Sequence, residues 1–393
     1  MKKKYLSIVA VVLVLSMLLL GCAQQSQQPE APTQAPQETQ QAQAPEQSAE
    51  QPAANAEPLD IVFLCNGTLG DLSFFDSAAA GFEKMEQELN VNTKIVEAGY
   101  DTTKWQPALQ DLADGDYDII VVGTYNMVDY VQQAALDHPE KKFILFDSNV
   151  DYASADYSNV YSIVYNYNEG SFLVGALCAL VSNSSMPNAN PEKVISFIGG
   201  QDTPVINDFL VGYIEGALYV DPEMKVVSSY LGSFDDTAKG KEMAAAHCNT
   251  MNVDVVYPAA GGAGLGAMDA AKECGAYTIG MASDQSALYT ESDPEKAKII
   301  LTSMICDVGQ SIYDAVKQHI EGTLEWGTTG YVGISADAVG ICQNDIYMSE
   351  VPEEIRQQLE TVIEDVKAGK VTISSAYTMS TEEVDALKAK VAP

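Results

Sequence analysis

The sequence predicts an α/β protein of two parallel-sheet lobes joined by a hinge, with a cleft between them. Three observations carry this reading. Short β-rich apolar runs alternate with helical patterns along most of the chain, and strand–helix alternation builds parallel sheets. Runs such as Ile119-Ile120-Val121-Val122 lack polar alternation, as befits strands covered by helices on both faces. A polar break from Ser182 to Pro191 interrupts the alternation before a fresh strand begins at Val194, and such breaks mark lobe boundaries.

At the N-terminus, Lys2, Lys3 and Lys4 precede an apolar run from Tyr5 to Leu20. This is the charged head and hydrophobic middle of a secretory signal, and it is too short to span a bilayer comfortably. Directly behind it stands Leu19-Leu20-Gly21-Cys22, which resembles the bacterial lipobox, so Cys22 is the expected mature N-terminus and lipid attachment site. From Ala23 to about Pro58 the chain is mainly Gln, Pro, Ala and Glu. Such a segment buries too little apolar surface to offset the entropy of ordering, and it reads as a flexible tether.

The strands expected next are Ile61 to Leu64, Ile119 to Val122, Phe143 to Phe146, Val194 to Ile198, Val226 to Tyr230, Val253 to Tyr257, Tyr277 to Gly280 and Ile299 to Leu301. Helical patterns fall between them, at Ser77 to Leu89, Met127 to Leu136, Gly170 to Val181, Phe209 to Tyr219, Ala238 to Cys248 and Ala267 to Cys274. A further helix from about Asp307 to Ile320 is expected to return to the first lobe. The tail carries an amphipathic helix with Ile355, Leu359, Val362 and Val366 on one face, stopped by Gly369. The expected organisation is a signal peptide over 1–21 and a lipidated linker over 22–58. The first lobe is assigned 59–190 with 306–330, and the second 191–305 with 331–393.

Composition narrows the function. A formal net charge of −34, more negative still without the three leading lysines, repels phosphates, so no nucleic-acid partner is expected. The six cysteines beyond Cys22 show no zinc-ligand spacing, and His138, His247 and His319 are isolated from one another; no metal site is expected. No nucleophile-elbow sequence accompanies the histidines.

In a two-lobed parallel fold, ligands bind at the carboxyl ends of the strands, where loops and helix N-termini converge. Asp71, Gly123, Asp147, Gly199-Gly200, Gly261-Gly262 and Asp284 all sit just past expected strands. One run there has a competing reading. Gly262-Ala263-Gly264-Leu265-Gly266-Ala267, with Asp284 twenty residues beyond Gly264, comes close to a dinucleotide fingerprint. It lies late in an exported chain, however, where a nicotinamide cofactor is not normally available.

Several motifs, taken in order, resemble the basic membrane lipoprotein family of substrate-binding proteins, the purine nucleoside receptors of bacterial ATP-driven importers. They are Asp71-Leu72-Ser73-Phe74, Glu169-Gly170-Ser171-Phe172-Leu173-Val174-Gly175-Ala176, Phe197-Ile198-Gly199-Gly200, Phe209-Leu210-Val211-Gly212-Tyr213, Gly232-Ser233-Phe234-Asp235 with Lys239-Gly240-Lys241, Ala260-Gly261-Gly262-Ala263-Gly264-Leu265-Gly266, Ser283-Asp284-Gln285 and Leu301-Thr302-Ser303-Met304. The resemblance implies a type I periplasmic-binding fold, a small-molecule ligand, an ABC permease as partner, membrane attachment through the lipid, no cofactor and no catalysis. It implies that Phe74 stacks on a planar base, with Phe209 or Phe234 closing from the other lobe; core packing is the competing reading for each ring. The ligand-binding set expected on this basis is Asp71, Ser73, Phe74, Phe75, Tyr125, Asp147, Phe209, Phe234, Gly262 and Asp284.

The chain also departs from the family. Ala282 and Cys306 stand where the family carries an aspartate and a lysine that hold ribose hydroxyls, and Phe75 and Asp76 stand where it often shows Asn and Gln. The resemblance therefore implies a planar ligand more firmly than it implies a sugar. A sensing receptor for another planar molecule, such as a flavin, is the alternative within the same fold, and a dinucleotide-dependent enzyme is the alternative outside it.

Overall fold

The computed structural model describes residues 57–393; the leader, Cys22 and nearly all of the linker lie outside the described residues. The chain opens with β1 (Leu59–Cys65), α1 (Phe74–Glu88), β2 (Val91–Glu97), α2 (Trp105–Ala113), β3 (Ile119–Gly123), α3 (Val128–Asp137), β4 (Lys142–Phe146) and β5 (Val160–Tyr165). It crosses over and continues as α4 (Tyr167–Ser182), β6 (Val194–Gly199), α5 (Pro204–Val220), β7 (Lys225–Tyr230), α6 (Thr237–Met251), β8 (Val255–Ala259), α7 (Gly261–Cys274), β9 (Tyr277–Ala282), α8 (Pro294–Ile299) and β10 (Ile300–Cys306). It recrosses into α9 (Val308–Ile320) and β11 (Thr328–Val332), then returns for β12 (Val339–Ile341), α10 (Asp345–Glu350), α11 (Glu353–Lys367) and α12 (Thr381–Val391).

Two six-stranded sheets result, ordered β11-β5-β4-β3-β1-β2 and β12-β10-β9-β8-β6-β7. Every pairing is parallel except β10 with β12. The apolar runs now have a physical account. Along β1, Ile61, Phe63 and Cys65 pack into one core while Val62 and Leu64 pack into another on the opposite face. A strand buried on both faces needs no polar alternation.

The lobe boundary lies earlier than the polar break suggests. Helix α4 packs against α5, α11, β10 and β12, all elements of the second sheet's layer. The assignment of the first lobe up to residue 190 is therefore corrected to end near Asn166. The polar run begins at Ser182, the last residue of α4, and from Asn183 onward it is a loop of the second lobe, tied down where Asn190 donates its backbone N–H to Asp254 at 2.8 Å. Composition marks a loop there but cannot say which sheet the preceding helix covers. Helix α9 lies against α1, and the chain passes between lobes at Asn166, at Asp307 and between β11 and β12. Glu169 knits two of these crossings together, accepting from the Ile334 N–H at 2.7 Å and the Asn166 side chain at 3.0 Å.

Candidate functional site

The carboxyl ends of β1, β3, β4, β6, β8 and β9 converge on a cavity of about 380 Å³. On the first-lobe side, the loop after β1 is wound around one carboxylate. Asp71 accepts the backbone N–H groups of Ser73 at 3.0 Å, Phe75 at 3.0 Å and Asp76 at 3.2 Å. Burial pushes its carboxyl up, and those three donors oppose the shift. Asp76 holds the other side of the turn, accepting from Gly70 and Leu72 at 2.8 Å each. The loop so fixed sets Phe74 against the cavity, half-buried, with Phe146 5.6 Å and Phe75 5.3 Å away between ring centroids.

The floor is built around Asp147, just past β4. This carboxylate is 8% exposed and accepts one hydrogen bond, from the Tyr167 hydroxyl at 2.6 Å. Burial holds its carboxyl up to about 7, and the Tyr167 bond opposes the rise. Tyr167 in turn stacks on Phe209, with centroids 4.1 Å apart and planes at 22°, the offset geometry in which aromatic pairs gain most. The Cys306 thiol lies 3.8 Å from the same hydroxyl. Beside them, Asn66 donates to Thr124 Oγ1 at 2.7 Å while its Oδ1 is buried without a partner.

Three cavity residues, Thr124, Asp147 and Ala282, hold φ of 77°, 67° and 64°, a left-handed backbone that L-residues rarely adopt. Strain of roughly 1–3 kcal/mol per residue persists only where the surroundings over-determine it, and it concentrates at ligand clamps.

A family described as ABC transporter substrate-binding protein PnrA-like matches residues 59–372. The chain belongs to it. Among its relatives is the ABC transporter nucleoside-binding protein BmpA of Lactococcus lactis, 30% identical over 80% of this chain and 88% of that one. Basic membrane protein A of Borreliella burgdorferi is 28% identical over 75% and 83%. In fold the chain is similar to an ABC transporter solute-binding protein of Aeropyrum pernix, with a TM-score of 0.74 at 24% identity over 85% of this chain and 98% of that one. Two parallel-sheet lobes of this kind are the type I periplasmic-binding fold. A PnrA-like protein of this fold carries a small molecule to a permease and performs no catalysis.

Of the residues expected at the ligand site of this PnrA-like protein, Asp71, Ser73, Phe74, Phe75, Tyr125, Asp147, Phe209 and Phe234 all line the cavity, and so do Ala282 and Cys306. Two expected residues do not. Asp284 turns away: its carboxylate accepts from Asn344 Nδ2 at 2.8 Å, Ser286 Oγ at 2.9 Å and the Ala287 N–H at 3.2 Å. It ties the loop after β9 to the start of α10, so the expectation that it meets the ligand is corrected. Gly262 lies inside the first turn of α7 and only its neighbour Gly261 reaches the cavity.

The glycine run of α7 serves packing. A Cβ on Gly266 would fall 1.9 Å from the Thr237 carbonyl oxygen, and one on Gly240 would fall 2.0 Å from that of Ala263. The run lets α6 and α7 touch backbone to backbone.

Ser283 and Gln285 act between the lobes. Both donate to the Leu72 carbonyl at 2.9 Å, and Ser73 Oγ donates to the Met281 carbonyl at 3.1 Å. The cavity also contains residues that sequence reasoning missed, notably Asn66, Tyr100, Trp105, Thr124 and Tyr167. Tyr167 follows β5, a strand absent from the expected set, so nothing marked it as standing at a strand's carboxyl end.

Proposed function

We propose that this substrate-binding protein captures a purine nucleoside or a related base between its lobes, from a position tethered to the outer face of the membrane by lipid on Cys22. The cavity's make-up carries the ligand reading. Phe74, Phe209, Phe234 and Tyr125 border a space of about 380 Å³, enough for a flat bicyclic ring with or without a sugar. Flat rings bury both faces against aromatic side chains at small entropic cost. The Lactococcus relative is itself named a nucleoside-binding protein. The lipid tether rests on Leu19-Leu20-Gly21-Cys22 behind the leader, and the relatives named basic membrane protein accord with it.

Ala282 and Cys306 bring no charge to the cavity wall, which predicts weak discrimination between a nucleoside and its base. A site built to bond hydroxyls leaves polar groups unpaired when the sugar is missing, and that penalty selects the nucleoside; neither residue imposes it here. Mass spectrometry of ligand carried through native purification is the first experiment. Titration with inosine, guanosine, adenosine and their free bases is the second, expected to give affinities within about tenfold for each pair. A hundredfold preference for the nucleoside, roughly 2.7 kcal/mol, would show that other residues grip the sugar.

A further inference from the structure

The charges around the cavity are one-sided. Asp71, Asp147 and Asp235 line it, and among the described lining residues there is no Lys, Arg or His. Two of these carboxylates are already engaged. Asp71 holds three backbone N–H groups, and Asp235 is solvent-exposed as well as accepting from the Ser233 hydroxyl at 2.5 Å.

Asp147 differs. Its single hydrogen bond is from Tyr167, and it takes part in no ion pair among the described residues. The titratable groups that face it are Tyr167 and Tyr165 at the crossing into α4, Cys306 at the end of β10, and Tyr377 from the tail. Tyr165, Tyr167 and Cys306 are acids held neutral by burial, Tyr377 is a partly exposed phenol, and none of the four supplies a positive charge. A buried carboxylate without a cation is costly. The buried Asn66 Oδ1, on a residue that also lines the cavity, is an acceptor without a donor. The lining also carries the aromatic rings of Phe74, Tyr100, Trp105, Tyr125, Phe209 and Phe234, and ring faces attract cations through their negative quadrupoles.

We propose that the cavity takes its planar ligand as a cation, a nitrogen ring carrying positive charge, with the Asp147 carboxylate as its counter-charge and the aromatic faces as its walls. This rests on the reading of the cavity as a site for a flat ring, and it narrows that reading to rings methylated or protonated on nitrogen. The chain's net charge of −34 favours the encounter, because a negative protein concentrates cations around itself.

The test sets charge against shape. With the full chain at neutral pH, calorimetry compares 1-methyladenosine, a cation once protonated, with N6-methyladenosine, a neutral molecule with the same heavy atoms. The cation is expected to bind at least ~10-fold more tightly, and Asp147→Asn is expected to abolish that ratio while still binding the neutral isomer. Equal affinity for the two isomers, or a ratio that survives in Asp147→Asn, overturns the proposal.

If neither nucleoside binds, the nucleoside reading fails by itself. The pair 1-methylnicotinamide and nicotinamide then decides the charge: preference for the methylated cation supports the proposal, and no preference or no binding overturns it. Should Asp147→Asn fail to fold, Tyr167→Phe takes its place. Loss of that hydroxyl leaves the carboxylate without its donor, so the preference for the cation is expected to weaken at neutral pH and recover as the pH is raised. A preference unchanged by Tyr167→Phe at every pH would count against Asp147 as the counter-charge.

Discussion

At the scale of single residues, what decides a side chain's role is the direction it faces, and that depends on partners far away in sequence. Asp147 and Asp284 look alike along the chain, each an acid just past a strand. Asp147 meets Tyr167 and lines the cavity. Asp284 is drawn off by Asn344, sixty residues on. The β9 strand end was legible in the sequence and the pull of Asn344 was not, because hydrogen-bond competition between separated loops leaves no local pattern. Phe74 was legible as a cavity residue from its motif Asp71-Leu72-Ser73-Phe74, and Phe75, expected beside it, borders the cavity while its ring also packs towards Phe63 at 6.5 Å. Phe74→Ala is expected to weaken ligand binding by about 1–3 kcal/mol through lost stacking and burial. Calorimetry on the ligand identified from native protein checks this, and an unchanged affinity would make Phe74 a wall residue only.

At the scale of elements, the central strands were readable and the edges were not. Strands β3, β4 and β6 are almost wholly apolar, interrupted only by Lys142 at the start of β4 and Ser196 within β6. Strand β2 reads Val-Asn-Thr-Lys-Ile-Val-Glu, because an edge strand has a solvated side and takes polar residues there. Likewise β11 is five residues long and only half-buried, and it pairs with β5 across more than 160 residues of chain, a contact no local window contains. The glycines of α7 misdirect in the other sense, since close helix packing and phosphate binding both demand glycine. Gly266→Val tests which demand operates. The added side chain collides with the Thr237 backbone, and forcing α6 from α7 is expected to cost at least about 1–3 kcal/mol of stability. Thermal unfolding would register this as a lowered Tm, and an unaltered Tm would refute the packing account.

A pH effect belongs to the same layer. His247 on α6 is buried between Ser196 Oγ at 2.8 Å and Ser229 Oγ at 2.9 Å, and burial lowers its pKa below the ordinary 6.5. The unfolded chain then binds the proton more readily than the folded one below that value. The stability this neutral imidazole supports is present above pH 6.5 and is lost as the pH falls through and below it. Asp208 and Asp254 act in the opposite sense. Burial pushes both up to about 6, so their folded forms keep protons that the unfolded chain releases, and their contribution diminishes as the pH rises through 6. Comparing His247→Gln with the native chain isolates the histidine. Urea unfolding at pH 7.5 and pH 5 is expected to show a smaller loss of stability on acidification in the variant, and equal losses would mean that His247 does not titrate with unfolding.

For the whole molecule, the governing quantity is the balance between open and closed lobes, because a cleft protein presents its ligand to a permease only in the closed form. Besides the Tyr167–Asp147 bond at the crossing into α4, three hydrogen bonds bridge the lobes beside the cavity, and two converge on one carbonyl, that of Leu72, from Ser283 and Gln285. The bonds at Leu72 and Ser73 exist only while the loop after β1 and the loop after β9 are within reach, so they stabilise closure without belonging to the ligand. Ser283 does not line the main cavity, which makes it the clean place to intervene. Removing its hydroxyl takes away one neutral hydrogen bond, worth about 0.5–1.5 kcal/mol net, and leaves Gln285 on the same acceptor. Apparent affinity scales with the fraction of molecules able to close, so Ser283→Ala is expected to weaken binding by roughly 2- to 12-fold if closure is the minor state of the free protein. The loss should fall on the dissociation rate, since the ligand still meets the same open cleft. Stopped-flow displacement measures that rate directly. A dissociation rate equal to that of the native protein would mean that the Leu72 bonds persist through opening and hold the hinge side of the cleft together in both states.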